Sequence, residues 1–247
     1  MNFSHTKIPF PPIATELFPD VTLIKTDKFI FIQLENQGQL LGTNILNGGL
    51  STIDSLVNLN VVTHAFTADQ MTTPLTILTN WQQQNQHLVK ANQTMADFLT
   101  AASMNSLSIV KRQLHNEYVA VITTAGFSNA RAAGDRAEYR NIESVVEKIG
   151  TINTIILTSA KLSDAAKLEA LIIATEAKVT VIYELKIKSQ VSNAMATGTG
   201  TDACALVSNL GGKATVAYSG KHTLLGETIG KLVTLGLRES SAYKTLI

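Results

Sequence analysis

Apolar residues recur along the chain with two periods, and these separate predicted strands from predicted helices. Runs rich in β-branched and aromatic residues predict strands at 21–26, 28–34, 106–114, 118–124, 155–157, 203–207 and 215–219. Apolar residues at three-and-four spacing predict helices at 74–88, 93–102, 164–185 and 224–239. Turns are expected at 35–38 and 115–117. Hairpins among these elements favour a mixed β-sheet covered by helices in a single α/β domain.

The predicted helices carry start signals and an apolar face. Thr73-Pro74 is an N-cap followed by proline at the first helical position, and Ser163 caps the helix at 164–185. The face of this helix predicted to pack on the sheet comprises Leu168, Leu171, Ile172, Thr175, Val179 and Ile182. In the last helix the corresponding face comprises Leu225, Ile229, Leu232, Val233 and Gly236 or Leu237.

The N-terminal residues 1–20 are expected to form an extended arm, and residues 21–247 the folded domain. Prolines at 9, 11, 12 and 19 fix their own φ and keep the preceding residues out of the helical region. The arm lacks the continuous apolar segment of a secretory signal, and no later run of about 18 apolar residues could span a membrane. We therefore expect a soluble, cytoplasmic protein with no membrane partner.

Charge and cysteine content exclude several classes of function. The 247 residues carry a formal net charge of +1 with no run of Lys and Arg, so we expect no nucleic-acid partner. The one cysteine, Cys204, lies in an apolar run and cannot form an intrachain disulfide, so we interpret it as a buried hydrophobe rather than a nucleophile. The five histidines are scattered and no metal-binding motif is present, so no protein-bound metal is expected.

Segments rich in glycine and threonine are the candidates for ligand contact. Residues 196–202 alternate the two types, where Gly198 and Gly200 let a ligand approach the backbone, and the hydroxyls come from Thr197, Thr199 and Thr201. The segment precedes a strand, which argues against a phosphate-binding loop. Asn47-Gly48-Gly49 fits a functional turn or an ordinary hairpin equally well. Gly-Thr pairs before Asn or Asp, at 42–44, 150–153 and 200–202, suggest turns that converge at one sheet edge.

Four residues are candidates for proton transfer because each lies in or beside a Gly/Thr-rich segment or at the start of the last helix: Asp202, Glu176, His222 and Glu227. Each also has a structural explanation. Asp202 could cap a turn, His222 could be a cap or a solvated loop residue, and Glu227 suits the positive end of a helix dipole.

Several segments, in order, resemble the adenosylcobinamide amidohydrolase family over roughly residues 40 to 240. These are 46–50, 124–126 with 129–130 and 134–135, 150–154, 174–178, 196–202, and His222 with 225–230. The resemblance implies hydrolysis of the amide that joins a corrin-ring propionate to its aminopropanol arm, which releases adenosylcobyric acid. It implies a cobalt-containing corrinoid as the substrate and partner, and no further cofactor. Whether the chain forms a homo-oligomer stays open.

The resemblance also implies a set of site residues. Those expected to bind substrate are Asn47, Gly48, Gly49, Asn129, Asp135, Asn153, Thr197, Gly198, Thr199, Gly200 and Thr201. The roles are our own hypotheses: Asp202 or Glu176 acts as base for a water, His222 as acid for the leaving amine, and the amides of 198–201 as oxyanion donors, with Glu227 as a further catalytic candidate. Water and a threonine hydroxyl both stay open as the nucleophile.

The sequence departs from the family at one position. Family members often carry an Asn-His pair shortly after the Gly-Gly-Leu, whereas here Asn58 is followed by Leu59. Either that histidine is dispensable or His64 replaces it. Two other functions are also kept, namely a non-catalytic corrinoid-binding protein and an amidohydrolase for a different large amide. A purely structural module would lack the broad apolar cleft that a corrin requires.

Overall fold

The computed structural model describes residues 4–5, 14–61, 73–89, 92–138 and 152–243. The strands are β1 (Ser4–His5), β2 (Ala14–Phe18), β3 (Val21–Lys25), β4 (Phe29–Gly42), β5 (Gly49–Asn60), β6 (Met95–Thr100), β7 (Ser108–Leu114), β8 (Glu117–Ala125), β9 (Ala130–Arg131), β10 (Ile152–Thr158), β11 (Lys161–Leu162), β12 (Gly198–Thr199), β13 (Ala203–Ser208) and β14 (Thr215–Val216). The helices are α1 (Pro74–Gln84), α2 (Asp164–Glu184) and α3 (Leu224–Ala242).

Ten of the strands form one strongly curled sheet. Its main order is β1-β7-β8-β10-β13-β4-β3-β2, with β5 paired to β4 and β6 paired to β5. The pairs β10–β13 and β5–β6 are parallel and the others are antiparallel. The predicted mixed sheet in a single α/β domain is therefore confirmed.

The hairpin of β4 and β5 allows the sheet to curl. Residues 39–42 of β4 pair with β13, whereas residues 30–34 pair with β3. The β4–β5 register shifts between Gln33 and Gly38, and such an irregularity bends a strand. The turn predicted at 35–38 is therefore wrong, because these residues are an irregular part of one continuous strand. The long strand β5 was not predicted.

Alternate residues of the strands face two different cores. Ile30 and Ile32 of β4 point into the curled sheet, where they join Phe98 and Ile155, while Phe31 points outward. On one outer surface α1 covers β4, β5 and β6, with Trp81 against Phe29 and Phe31. On the other, α2 and α3 cover β8, β10 and β13. The sheet is buried on both faces along most of its length.

Three of the four predicted helix starts are confirmed. The Thr73, Ser163 and Thr223 hydroxyls each accept a hydrogen bond from the amide three residues on, which satisfies a donor that the helix leaves unpaired. The apolar face predicted for the last helix is buried in α3 as expected, from Leu225 to Leu237.

The packing face predicted for α2 is wrong at Leu168, Ile172 and Thr175, whereas Ile182 is buried and Leu171 packs against the core as predicted. Leu168 and Ile172 are 55% and 58% exposed, while Ala166, Ala170 and Ala174 are buried against the sheet. The small alanine side chains allow the helix backbone to lie close to the strands. Ile173 is buried beside these alanines, so size complementarity selects this face together with side-chain hydrophobicity.

Three further expectations needed correction. Residues 93–102 do not form a helix, because Met95–Thr100 is the strand β6, buried on both sides between α1 and the interior. A strand that is buried on both faces carries apolar residues at successive positions, so it lacks the alternating pattern. Here those apolar residues also recur at the three-and-four spacing that is typical of a helix. Within the predicted arm 1–20, Ala14–Phe18 is a sheet strand whose Leu17 and Phe18 are buried. Of the strand predicted at 215–219, only Thr215–Val216 is paired.

Across the described ranges, each helix is too short or too polar to traverse a lipid bilayer.

The alanine face of α2 can be tested by overpacking. Ala170→Leu inserts three carbons into a fully buried contact and should lower the free energy of unfolding by about 1–3 kcal/mol. Leu168→Ala, on the exposed face, should change it by less than about 0.5 kcal/mol. Urea unfolding measures both values, and equal losses would contradict this orientation of α2.

Candidate functional site

At one edge of the curled sheet, strands β4 and β8 end and strands β10 and β13 begin. Asn153 at the start of β10 is paired with Thr124 near the end of β8 on one side and with Ala203 at the start of β13 on the other. Ala205 pairs with Gly42, so the same register brings Asn44 opposite Ala203. The predicted convergence of the turns at 42–44 and 200–202 is therefore confirmed. Gly150 and Thr151 lie outside the described residues, as does His64.

The turn at 43–48 is fixed to this edge by its own side chains. Thr43 exchanges hydrogen bonds with Cys204 of β13, through its amide at 3.0 Å and its hydroxyl at 3.1 Å. The Asn47 side-chain amide donates to the Met95 carbonyl at 2.7 Å, and Asn47 adopts a φ of 56°. Gly49 has a φ of 76°, which glycine adopts without strain. The turn is thus a hairpin connection that also lies at the candidate site.

The loops at 126–135 and 197–202 form one unit. Their strands β9 and β12 pair, and the Gly200 amide donates to the Asn129 carbonyl at 3.0 Å. The Asn129 side chain donates to the Thr201 hydroxyl at 3.1 Å, and the Thr197 hydroxyl accepts from the Ala133 amide at 2.9 Å. Predicted substrate-binding residues from two distant segments are therefore brought together.

Backbone amides of the loop at 197–202 already donate hydrogen bonds to protein groups. The amide of Thr199 donates to Asp202, that of Gly200 to Asn129, and that of Thr201 weakly to the Thr199 hydroxyl. The amides of Thr199, Gly200 and Thr201, three of the four predicted oxyanion donors, are therefore committed to holding the loop in this conformation. Nearby side chains are then the candidates to stabilise a developing negative charge.

Asp135 also has a local role. Its carboxylate accepts hydrogen bonds from the Ser189 and Ser192 hydroxyls at 2.5 and 2.6 Å and from the Ala132 amide at 2.7 Å. These bonds hold the pKa of Asp135 below its usual range. The residue ties the loop that carries Asn129 to the chain after α2.

Asp202 forms a partly buried ion pair with Lys178 of α2. The Lys178 ammonium lies 2.5 Å from Oδ2, while the Thr199 hydroxyl donates to Oδ1 at 2.5 Å. The two charged side chains are only 17% and 16% exposed. They border a cavity of about 140 Å³ lined also by Thr43, Thr154, Thr175 and Cys204. Burial raises the pKa of the Cys204 thiol to about 12, so it remains protonated at neutral pH.

Gly198 makes room for this ion pair. A Cβ at position 198 would lie 2.3 Å from the Asp202 carboxylate and 2.9 Å from the Lys178 ammonium. At Gly200 the nearest atoms to an added Cβ belong to the flexible Arg131 side chain, at 3.3 Å. Gly198 is therefore required by the ion pair, whereas Gly200 is bordered mainly by a side chain that can move.

On the inner side of the same edge lies a group of neutral polar side chains, which we call the interior amide cluster: Asn44, Asn58, Thr124 and Asn153. The Asn153 side-chain amide donates to the Asn58 carbonyl oxygen at 2.9 Å and to the Leu99 carbonyl at 3.1 Å. Asn58 in turn donates to the Thr124 hydroxyl oxygen at 2.9 Å. All four residues are less than 9% exposed. Residues from β5, β8 and β10 thus meet through buried hydrogen bonds.

Asp97 supports the turn at 43–48 from β6. It is completely buried, and its Oδ1 accepts a hydrogen bond from the Leu46 amide, while Oδ2 has no partner within the described ranges. Burial raises the pKa of Asp97 to about 6, against the opposing effect of the backbone amides. The hydrogen bond to Leu46 stabilises the turn at 43–48, whereas burial of the carboxyl disfavours its charged form.

The other predicted catalytic residues lie elsewhere. Glu176 and Glu227 line a groove of about 610 Å³ between α2 and α3, where they pair with Lys221 and Lys231. The Lys231 hydrogen bond and charge hold the pKa of Glu227 below its usual range. Both carboxylates are about half exposed, and Asp202 is not among the residues that line this groove.

His222 is also distant from Asp202. A Cβ on Gly220 would lie 3.1 Å from the His222 ring and 3.9 Å from Glu169, so the histidine is near the beginning of α2. Lys178, which contacts Asp202, is nine residues further along that helix, or about 13 Å along its axis. The structure therefore does not bring His222 and Asp202 to one reacting group.

Sequence reasoning did not nominate Lys178, Asn58, Thr124 or Asp97. Lys178 and Thr124 lay within the segments that carry the family resemblance, and Asn58 was noted only as a departure. Asp97 interrupts an apolar run, which is a signal for a buried carboxyl, but the residues around it were interpreted as a helix. Among the described residues, no group of His, Cys, Asp and Glu side chains is arranged as a metal site.

The need for glycine at 198 can be tested by substitution. Gly198→Ala should separate Asp202 from Lys178 and lower the free energy of unfolding by about 2 kcal/mol, because a half-buried charge loses its partner. Gly200→Ala should change it by less than about 1 kcal/mol, since the Arg131 side chain can move aside. Chemical denaturation compares the two, and equal effects would contradict the role given to Gly198.

Burial of Asp97 predicts a pH dependence of stability. A carboxyl with a raised pKa in the folded state contributes stability that is complete below pH 3.8 and is lost as the pH rises through about 6. The loss is about 3 kcal/mol when complete. Asp97→Asn should remove this part of the slope between pH 4 and 7 in urea unfolding. An unchanged slope in the variant would contradict the assignment.

Comparison with known proteins places the chain in a family. A family model described as adenosylcobinamide amidohydrolase matches residues 15–245. An uncharacterized protein of Methanocaldococcus jannaschii is 37% identical over 155 residues, which cover 57% of this chain and 60% of that protein. A Methanosarcina mazei protein named adenosylcobinamide amidohydrolase is 31% identical over 144 residues, which cover 57% of this chain and 62% of that protein.

The chain thus spans about three fifths of the length of these curated relatives. A crystal structure of a Pyrococcus horikoshii protein superposes with a TM-score of 0.41 at 11% identity, covering 97% of this chain and 83% of that one, which is too low to inform the fold. The family model, by contrast, covers nearly the whole sequence. The chain therefore belongs to the adenosylcobinamide amidohydrolase family.

Proposed function

We propose that this protein hydrolyses the amide between a corrin-ring propionate and the aminopropanol arm of adenosylcobinamide. The products are adenosylcobyric acid and aminopropanol. Family membership supports the reaction class. The observation that carries the proposal is the convergence of distant polar segments, at 42–48, 124–135 and 197–202, on one edge of the sheet.

The reaction requires a nucleophile, stabilisation of the oxyanion and a proton for the leaving nitrogen. Asp202 is the proposed base for an attacking water, because it is the one of the four predicted proton-transfer residues that lies at this edge. Lys178, in contact with Asp202, supplies positive charge for the oxyanion and donates an ammonium proton to the aminopropanol nitrogen. The proton that Asp202 took from water then passes to Lys178, which restores both groups. Glu176, Glu227 and His222 then have no chemical step to perform.

The first test is the reaction itself. Purified protein should convert adenosylcobinamide to adenosylcobyric acid with release of one aminopropanol per turnover, as followed by liquid chromatography and mass spectrometry. Corrinoid binding without release would favour a non-catalytic binding protein instead. A product of different mass would indicate a different amide.

The assignment of Asp202 has a matched control in Glu176. Asp202→Asn should lower kcat by at least about a hundredfold, because it removes the base. Glu176→Gln, an equivalent change in the α2–α3 groove, should leave kcat within about threefold of the parent protein. Near-equal losses in the two variants, or full turnover in Asp202→Asn, would exclude the proposed role. Circular dichroism and thermal unfolding confirm that each variant is folded.

A further inference from the structure

We propose that the interior amide cluster binds a peripheral carboxamide of the corrinoid, next to the amide that is cleaved, and so determines substrate affinity. This inference rests on the proposed function and deepens it. Its ligand class is a neutral carboxamide, and its residues are Asn44, Asn153 and Thr124, with Asn58 as the residue that orients them.

The cluster is arranged as a row in which one position carries only a methyl group. Ala203, Asn153 and Thr124 occupy neighbouring positions on β13, β10 and β8, and Asn44 lies two residues beyond the end of β4, where the same register places it next to Ala203. Ala203 packs against the inner core, so this row faces the inside of the sheet. Ala203 contributes only a methyl group between two asparagines. Gly42 makes room for the Asn44 side chain, because a Cβ there would lie 2.6 Å from Asn44 Oδ1. The Asn44 side-chain amide donates to the Leu46 carbonyl at 2.6 Å, which fixes the orientation of its oxygen.

The hydrogen-bonding groups left over in the cluster match a carboxamide. The Oδ1 atoms of Asn44 and Asn153 are buried and accept no hydrogen bond from the described residues. The Thr124 oxygen accepts from Asn58, which leaves the hydroxyl hydrogen to be donated. Two acceptors and one donor are the complement of an amide, whose NH₂ donates twice and whose carbonyl accepts. Buried polar atoms are nearly always paired, so this set indicates an occupant.

Charge narrows the choice of ligand. The four side chains of the cluster are uncharged, so it offers no counterion to a carboxylate, a phosphate or an ammonium group. A corrin ring carries several primary carboxamides at its periphery, and each offers two N–H donors and one carbonyl acceptor to the atoms left over in the cluster. An ordered water could satisfy the same atoms, and binding measurements separate the two.

The location links the cluster to the proposed reaction. Asp202 directly precedes Ala203, and consecutive strand residues point to opposite faces, so Asp202 faces α2 while the cluster faces inward. A ligand that lies over the ends of β10 and β13 reaches both. The cluster therefore serves binding, and the chemical step takes place on the Asp202 side.

The test separates binding from turnover. Asn153→Asp replaces the donating amide by a carboxylate oxygen, and Thr124→Val removes the hydroxyl with little change of shape. Each should raise KM for adenosylcobinamide at least tenfold and leave kcat within threefold, while Thr124→Ser should restore KM. Adenosylcobyric acid keeps the peripheral carboxamides, so its Kd should rise by the same factor. Asn105→Asp, at an exposed site, is the control and should change neither constant.

Each remaining outcome is decisive. Folded variants that retain the parent KM and Kd overturn the inference, as does a loss confined to kcat, which would make the cluster catalytic. If Asn153→Asp does not fold, the comparison of Thr124→Val with Thr124→Ser decides. If the parent protein binds corrinoids without hydrolysing them, the proposed function fails, and the inference stands only if the variants weaken that binding. A parent protein that binds neither corrinoid overturns both.

Discussion

The long hairpin of β4 and β5 is the constraint on which the rest of the structure depends. The first half of β4 pairs with β3 and the second half pairs with β13. The register shift between Gln33 and Gly38 bends the hairpin between these two partners. Without that shift β5 and β6 would extend the sheet instead of closing over it. Asn58 would then be unable to contact Asn153 and Thr124. The bend in a hairpin thus creates the polar interior of the candidate site.

The edge that results is divided by the strands into two environments. Towards α2, the Asp202–Lys178 ion pair is partly buried and lies beside threonine hydroxyls. Inside the sheet, the cluster is neutral, and three of its members, Asn153, Asn58 and Thr124, are linked by hydrogen bonds. Gly198 belongs to the first environment and Gly42 to the second, and in both cases the missing side chain leaves room for a polar group. A larger side chain at Gly198 or Gly42 would collide with these polar groups, which explains why glycine stands at both positions.

Much of the fold could be predicted from local signals, whereas the site could be predicted only in part. The caps at Thr73 and Ser163 and the apolar face of α3 are short-range features, and they were found. The strand β6 and the alanine face of α2 depend on what packs against them, which periodicity does not reveal. Asp202 was identified from its motif, but its partner Lys178 is 24 residues away and could not be paired with it from spacing alone.

The central claim is that substrate lies over the ends of β10 and β13. A crystal structure of the protein with bound adenosylcobyric acid tests it most directly. The account predicts the corrin at this edge, with a peripheral carboxamide at Asn153 and the free propionate beside Asp202. A corrin bound in the groove between α2 and α3, next to Glu176 and Glu227, would contradict it.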